Sequence, residues 1–162
     1  MKSIIHTTAF IASLALPLCA VAQGASTPAA EPHHTLVAAD AVKWGPAPPS
    51  LPPGALAAVL YGDPGQAAPF VLRLKLPVGY TFPPHRHSQA EPVTVIAGTF
   101  AIGSGEKFDH ASMKPLPTAG FVYLPAGMAH YARAETDAIV QINCVGPFDI
   151  IYVDPADDPR KQ

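Results

Sequence analysis

The chain has 162 residues, of which 49% are hydrophobic and 14% are charged, and its formal net charge is −2. This length predicts one main domain with its own core, and the lack of a basic run or patch argues against a nucleic acid partner. The 20 prolines and 12 glycines predict short strands joined by turns, because proline breaks helices and cannot donate a hydrogen bond inside a sheet.

The first 22 residues have the pattern of a secretory signal peptide. A positive charge at Lys2 precedes an apolar stretch over residues 9–18, and an A-x-A cleavage site ends at Ala22. The apolar stretch is shorter than the ~20 residues that a membrane span needs. We therefore expect cleavage after Ala22, a periplasmic or secreted protein, and no membrane span in the mature form. A retained N-terminal helix or anchor is the alternative, and lipidation of Cys19 is disfavoured because Leu18 stands where a small residue is required.

The segments after the predicted signal peptide differ in character. Residues 23–54 predict a flexible lead-in followed by a proline-rich arm that is anchored by Trp44, and residues 55–153 predict a β-barrel. Residues 104–119 are expected to form a loop with one short helical turn, and the acidic tail 154–162 is expected to be solvated. Strands are predicted at 55–61, 70–76, 81–87, 91–97, 99–103, 121–124, 130–134, 138–144 and 148–153. Many short strands at this spacing indicate a sandwich or a closed barrel.

Histidines and a glutamate occur where they can bind one ion. His85 and His87 lie two residues apart on a predicted strand, so their side chains face the same side. Glu91 follows a tight turn and returns on the next strand, and His130 begins a later strand after the turn 125–129. Imidazoles beside a carboxylate suit Mn, Fe, Ni, Cu or Zn.

These residues occur in two motifs that resemble those of the cupin superfamily. The first, G-x5-H-x-H-x3-E-x6-G, is met at every position from Gly79 to Gly98. The second, G-x5-P-x-G-x2-H-x3-N, keeps its P-x-G-x2-H core from residue 125 to 130. It departs from the family pattern at two places: Gly120 is one residue too close to the proline, and Ala134 stands where the family has asparagine.

The resemblance covers roughly residues 55–153 and implies an all-β fold, the double-stranded β-helix that is also called a jelly roll or cupin barrel. It implies that His85, His87, Glu91 and His130 are the ligands of one divalent transition metal (Fe, Mn, Ni, Cu or Zn). Cupins commonly pair by strand exchange at a sheet edge, so the resemblance also implies a homodimer in which the arm 36–54 takes part.

Other residues are candidates for the surroundings of the metal. Ligating histidines usually donate their second N–H to a partner, and polar residues on an otherwise apolar strand suggest a cavity wall, although a solvent-facing edge is the alternative. Cys144 is expected to be a buried small hydrophobe, or else a redox-sensitive thiol in the cavity. The candidates for the pocket and for contacts to the ligands are Gln89, Gln141, Asn143, Arg73, Phe82 and Phe100.

Two classes of function fit this pattern. The first is a metal-dependent enzyme, dioxygenase-like or else a decarboxylase or isomerase, that acts on a small oxygenated compound. No spare carboxylate or histidine lies beside the motif, so proton transfer is assigned to bound water, Tyr123 or Tyr131. The second is a binding or sensing module that holds a metal or a small ligand without turnover, and a barrel that does not use a metal is a third option.

Overall fold

The structure, a computed structural model, describes residues 34–162, and these form two antiparallel sheets. The predicted signal peptide and residues 23–33 of the lead-in lie outside the described residues. Short 3₁₀ turns occupy Ala39–Ala41, His110–Ser112, Pro155–Asp157 and Pro159–Lys161. The strands are β1 (Gly45–Pro46), β2 (Leu56–Tyr61), β3 (Pro69–Leu76), β4 (Thr81–Arg86), β5 (Glu91–Ala97), β6 (Thr99–Ser104), β7 (Lys114–Pro117), β8 (Phe121–Leu124), β9 (His130–Ala134), β10 (Ala138–Val145) and β11 (Ile151–Tyr152).

The order of the strands is that of a jelly roll. One sheet has the order β1-β2-β3-β10-β5-β8, and the other has the order β11-β4-β9-β6-β7. From β3 onward the chain passes repeatedly from one sheet to the other, so strands distant in sequence become neighbours. The predicted all-β fold, a double-stranded β-helix, is thereby confirmed. No helix in residues 34–162 has the length and apolarity needed to cross a membrane.

The core lies between the two sheets and follows from the alternation of side chains along each strand. On β3, Leu72 and Leu74 are buried, whereas the neighbouring Arg73 faces outward. Their partners on β10, Ile142 and Val140, are directly opposite in the antiparallel register and are also buried. Each such side chain contributes roughly 1.5–3 kcal/mol when it leaves water, and together they form the apolar walls of the barrel.

Two short strands lie where the sequence predicted none. β7 lies within the predicted loop 104–119 and pairs with β6, and β1 lies within the arm and pairs with β2. Both are edge strands that contain proline, and a proline is tolerated at a sheet edge because its missing N–H faces away from the ladder. Because prolines within a segment argue against a strand, neither of these strands was predicted from the sequence. The last predicted strand, 148–153, is in turn shortened to β11.

Two tyrosine hydroxyls bond the arm to the barrel, and Trp44, which was predicted to anchor the arm, is half-buried. The Tyr80 hydroxyl donates a hydrogen bond to the backbone carbonyl of Pro52. The Tyr152 hydroxyl donates to the carbonyl of Ser50 at 2.8 Å. These bonds order the proline-rich segment beside the interior of the barrel.

The C-terminal tail is folded and is not simply solvated as its composition suggested. Asp154 accepts a hydrogen bond from the backbone N–H of Ala156 at 2.9 Å, and Asp158 accepts one from Arg160 at 3.1 Å. Aspartate side chains commonly stabilise turns in this way. Asp158 is only 6% exposed. The aspartates of the tail therefore cap its short turns. The tail also packs against the barrel, since Arg160 donates a hydrogen bond to the backbone carbonyl of Ile150.

Candidate metal centre

Four side chains from three strand ends meet in the interior. His85 lies on β4, His87 follows that strand directly, Glu91 begins β5 and His130 begins β9. His85 and His130 are directly opposite in the β4–β9 register. All four residues are buried, and each offers one ligand atom within 4.8 Å of the other three.

A β-bulge and a tight turn position these residues. The β4–β9 register shifts between Phe82 and His85, so both side chains face the interior although they are three residues apart. Pro83 and Pro84 occupy the gap, and prolines favour such an irregularity because they cannot donate to the ladder. The turn before His130 is joined to the other motif, because the Gly127 N–H donates to the His87 carbonyl at 2.9 Å.

The three imidazole rings are oriented by backbone carbonyls. Nδ1 of His85 lies 2.7 Å from the carbonyl oxygen of Pro83, and Nδ1 of His130 lies 3.0 Å from that of Met128. Nδ1 of His87 contacts the carbonyl oxygen of Asp149. A carbonyl oxygen only accepts hydrogen bonds, so in each neutral ring Nδ1 carries the proton and Nε2 keeps a lone pair. This arrangement prepares three Nε2 atoms for a metal.

The remaining contacts within the group fit a metal ion. Nε2 of His87 and Nε2 of His130 each lie 3.3 Å from Oε2 of Glu91. In residues 34–162 neither nitrogen has a partner in hydrogen-bonding geometry, and a buried polar atom without one costs about 1–3 kcal/mol. A cation between the nitrogens and the carboxylate would satisfy them. Three imidazoles and a carboxylate are a donor set for Fe, Mn, Ni, Cu or Zn.

The electrostatics of the group keep two of its members deprotonated. Burial, reinforced by the nearby His130 and His87, lowers the pKa of His85 to about 3. Burial disfavours the charged form of Glu91, but interaction with His130 and His87 outweighs it and lowers the pKa of Glu91 to about 2. Burial alone would lower the pKa of His87. Its interaction with the Glu91 carboxylate has the larger combined effect, so the pKa of His87 is raised.

Metal affinity is therefore expected to rise with pH. A metal must displace the extra proton that His87 holds below its raised pKa, whereas His85 and Glu91 have none to release near neutrality. The dissociation constant should fall about tenfold per pH unit for each proton released, below the raised pKa of His87, which lies above 6.5. Competition titration of Ni²⁺ against a chelating dye between about pH 5.5 and 8 would measure this, since the midpoint of imidazole titration lies there. A flat dependence over that range would contradict the assignment of the proton to His87.

A cavity of about 660 Å³ opens beside the four residues. Phe82 and Phe100, which the sequence proposed for the pocket, both line it. Most of its other lining residues are aliphatic and come from both sheets and from the arm. The polar residues that line it are Ser50, His85, His87, Glu91, His130, Asp149 and Arg160.

Four polar candidates lie outside this cavity, which corrects their expected position. Gln141 and Asn143 are on the outer face of β10, opposite the buried Val140 and Ile142. Arg73 is on the outer face of β3, and its Nε donates to Gln141 at 2.8 Å. The alternation along β10 was correctly recognised, but the polar face is the outer one. Gln89 and Asn143 line a separate groove of about 460 Å³ together with Cys144.

Cys144 does not line the cavity of the metal group. Its Sγ lies 3.0 Å from the backbone carbonyl of Ala90, and its side chain belongs to the core between the sheets. Burial raises the pKa of the Cys144 thiol, which keeps it protonated and unreactive near neutrality. Its place agrees with the expectation of a buried small hydrophobe.

The two tyrosines proposed for proton transfer are also outside the cavity. Tyr123 is 58% exposed on the outer side of β8. Tyr131 is buried in a small second cluster with Ala101 and Met113, beneath the segment after β6. On β9 it neighbours His130, and successive strand residues point to opposite faces. Neither hydroxyl is placed to exchange a proton with a ligand in the cavity.

Replacing Tyr131 by Phe is expected to lower stability without affecting the metal group. The Tyr131 hydroxyl lies 2.8 Å from Oγ of Ser112 and 3.3 Å from the carbonyl of Asp109. Losing these bonds should lower the free energy of unfolding by about 0.5–1.5 kcal/mol, measured by urea denaturation. The matched Tyr123→Phe variant should change it by less than ~0.5 kcal/mol. Reduced metal content in Tyr131→Phe alone would show that the hydroxyl does act on the metal group.

Sequence reasoning missed several groups at the site. The backbone carbonyls that orient the rings have no side-chain signature. Asp149 was also missed. Its carboxylate accepts one hydrogen bond from the backbone N–H of Ser88 at 2.7 Å and another from the Ser88 hydroxyl at 2.6 Å. These bonds outweigh burial and lower the pKa of Asp149. Arg160 was missed because it lies in the tail that was expected to be solvated.

Comparison with known proteins places this site in a family. Residues 32–149 match the family model described as the ChrR cupin-like domain. No curated protein sequence matches the chain.

Solved structures with the same architecture come from several bacteria, and at these identities they show the fold alone. A proposed acetylacetone dioxygenase from Methylibium petroleiphilum PM1 is 19% identical with a TM-score of 0.62, over 82% of this chain and 90% of that one. The polyketide cyclase RemF from Streptomyces resistomycificus is 14% identical with a TM-score of 0.60, over 80% and 92%. An RmlC-like cupin from Shewanella frigidimarina is 11% identical with a TM-score of 0.54, over 71% and 94%.

Proposed function

Because the chain belongs to the ChrR cupin-like domain family of cupins, we propose that it is a metal-dependent enzyme of the dioxygenase type. Its substrate would be a small oxygenated compound bound in the cavity, and its metal would be held by His85, His87, Glu91 and His130. The observation that carries the proposal is that three buried histidines and a glutamate, with their ligand atoms close together, line a cavity whose other walls are mostly apolar.

The residues of the chain have separate tasks in this proposal. His85, His87 and His130 would hold the metal together with Glu91, while backbone carbonyls orient the three imidazole rings. The metal, when bound, supplies Lewis-acid or redox chemistry. The apolar walls bind the body of the substrate and exclude water, which strengthens the electrostatic interactions at the site. Asp149 keeps its carboxylate ionised through its hydrogen bonds from Ser88, so it is not a proton donor near neutrality.

Binding of a small molecule is supported by the size of the cavity, and an enzymatic role by the descriptions of two similar structures. A volume of about 660 Å³ falls within the ~300–1,000 Å³ range of pockets for small molecules. Among the similar structures, one is a proposed dioxygenase and another a cyclase.

The pattern of residues 1–22 supports a further part of the proposal, that the enzyme acts in the cell envelope after cleavage following Ala22. We also propose a homodimer that involves the arm, which a measured mass of twice the chain would support.

Oxygen consumption tests the proposed reaction. The protein would be reconstituted separately with Fe²⁺, Mn²⁺, Ni²⁺ and Cu²⁺ and supplied with β-diketones, hydroxy acids and catechols under an oxygen electrode. Turnover with at least one metal, and its loss in His130→Ala, is the expected result. Saturable binding of these compounds without oxygen uptake or product would contradict the dioxygenase proposal.

A binding or sensing role is the second candidate, and one feature of the cavity favours it. Within residues 34–162, the acidic side chains that line it are Glu91, which is a ligand, and Asp149, which is already bonded to Ser88. A site for acid–base chemistry usually offers a free titratable group with a suitable pKa. Tight retention of a metal or small ligand, with the compound recovered unchanged, is what this alternative predicts.

A further inference from the structure

We propose that the cavity accepts small organic anions and that Arg160, in the C-terminal tail, selects them by pairing with a ligand carboxylate. This inference rests on the proposed function, because it names the ligand class of the same cavity. It assigns a role to a segment that lies outside the matched family region, which ends at residue 149.

Arg160 is placed at the cavity by the fold of the tail. It is one of the lining residues, and it is the one lysine or arginine side chain among the described residues that line this cavity. Its side chain is 45% exposed, so part of it remains accessible to a ligand.

The guanidinium of Arg160 is held in one orientation by two groups. Its Nε and Nη2 donate to the two carboxylate oxygens of Asp158, at 2.7 and 2.8 Å. Nη2 also donates to the backbone carbonyl of Ile150 at 3.2 Å. Ile150 lines the cavity and directly follows Asp149, whose carbonyl orients His87. Adjacent peptide units thus position both Arg160 and a residue of the metal group.

Two donors of Arg160 remain for a ligand. A guanidinium has five N–H groups, and the three bonds above leave the pair on Nη1, for which residues 34–162 provide no hydrogen-bond partner. The carboxylates near the cavity are already engaged: Asp158 by Arg160, and Asp149 by Ser88. Outside the metal group, Nη1 of Arg160 is therefore a charged donor that the described lining of the cavity leaves free. Because the guanidinium is already oriented, a ligand would not have to order a flexible side chain.

These features define the ligand. Its body should be apolar to match the walls, which include Phe82 and Phe100. A carboxylate should meet Nη1 of Arg160, because a charged acceptor forms the stronger, charge-assisted hydrogen bond. A neutral amide of the same shape would form only a weaker hydrogen bond with Arg160, so it should bind less tightly than the carboxylate. The alternative is that Arg160 serves only to fasten the tail to the barrel through Asp158 and Ile150.

The test compares two probes of the same shape, 4-phenylbutanoate and 4-phenylbutanamide. Each is titrated into the full chain by calorimetry, with and without bound metal, and the bound position is mapped from NMR shifts of backbone amides. The variants are Arg160→Gln and, as a matched control that removes a neighbouring positive charge, Lys161→Gln. Arg160→Met, which keeps an apolar stem, serves as a second variant if Arg160→Gln does not fold.

The wild-type chain should bind the carboxylate about tenfold or more tightly than the amide in the absence of metal. Arg160→Gln or Arg160→Met should remove that preference, and Lys161→Gln should retain it. Equal affinity of the wild type for both probes would overturn the inference whatever the variants do. A preference that survives in both Arg160 variants, or that arises only with metal, would assign the carboxylate to another group. Failure of the chain to bind metal, with the preference intact, would overturn the metal-dependent function alone.

Discussion

Replacing His85 and His130 together by alanine is expected to abolish metal binding. The two residues are directly opposite on β4 and β9, and their Nε2 atoms supply half of the four ligand atoms. Loss of a single residue that merely supports a ligand typically lowers metal affinity about 10–100-fold. Loss of two direct ligands should lower it by more than ~10⁴-fold, and metal content should fall from about one equivalent to almost none.

Elemental mass spectrometry on the purified chain would measure this loss. The matched control is His34→Ala with His110→Ala, which removes two exposed histidines outside the group. His110 is hydrogen-bonded to Glu135 at the surface, so the control should keep its metal.

Wild-type protein should also lose stability when the metal is chelated, by up to ~4 kcal/mol if free metal stood at about 1,000 times its dissociation constant. Equal metal content in both double variants would overturn the assignment of the ligands.

Replacing Gly98 by alanine is expected to destabilise the fold severely. Gly98 ends the first motif, between β5 and β6, and has a φ of +78°. A Cβ atom there would lie 2.2 Å from the backbone carbonyl oxygen of Asp137 and 2.9 Å from Cα of Ala138. The left-handed backbone costs about 1–2 kcal/mol for alanine, and overpacking against a backbone adds about 1–3 kcal/mol. The free energy of unfolding should fall by roughly 2–5 kcal/mol.

Urea denaturation of Gly98→Ala beside Gly45→Ala would test this prediction. Gly45 has a φ outside the left-handed region, and a Cβ atom added there would meet nothing within 4 Å. Its replacement should change stability by less than ~1 kcal/mol. Similar small effects for both variants would mean that the β5–β6 turn relaxes at little cost. The expected difference explains why this motif ends in glycine at a position distant from the ligands.

Local spacing predicted an all-β fold of short strands, and the resemblance to the cupin motifs implied the jelly roll and the ligand group. Alternation along β3 and β10 showed which side chains share a face, and the spacing of His85, His87 and Glu91 matched a motif of known architecture. The prediction of β7 failed because Pro115 and Pro117 argue against a strand, whereas an edge position tolerates them.

The sequence by itself determined that this chain forms a β-barrel with three histidines and a glutamate suited to a metal. Only the tertiary structure decided which groups surround them. Alternation says that Gln141 and Asn143 share a face, but the position of β10 between β3 and β5 makes that face the outer one. The carbonyls that orient the imidazoles lack any side-chain signal. Arg160 reaches the cavity because Asp158 folds the tail back, a contact between chain segments that local patterns do not encode.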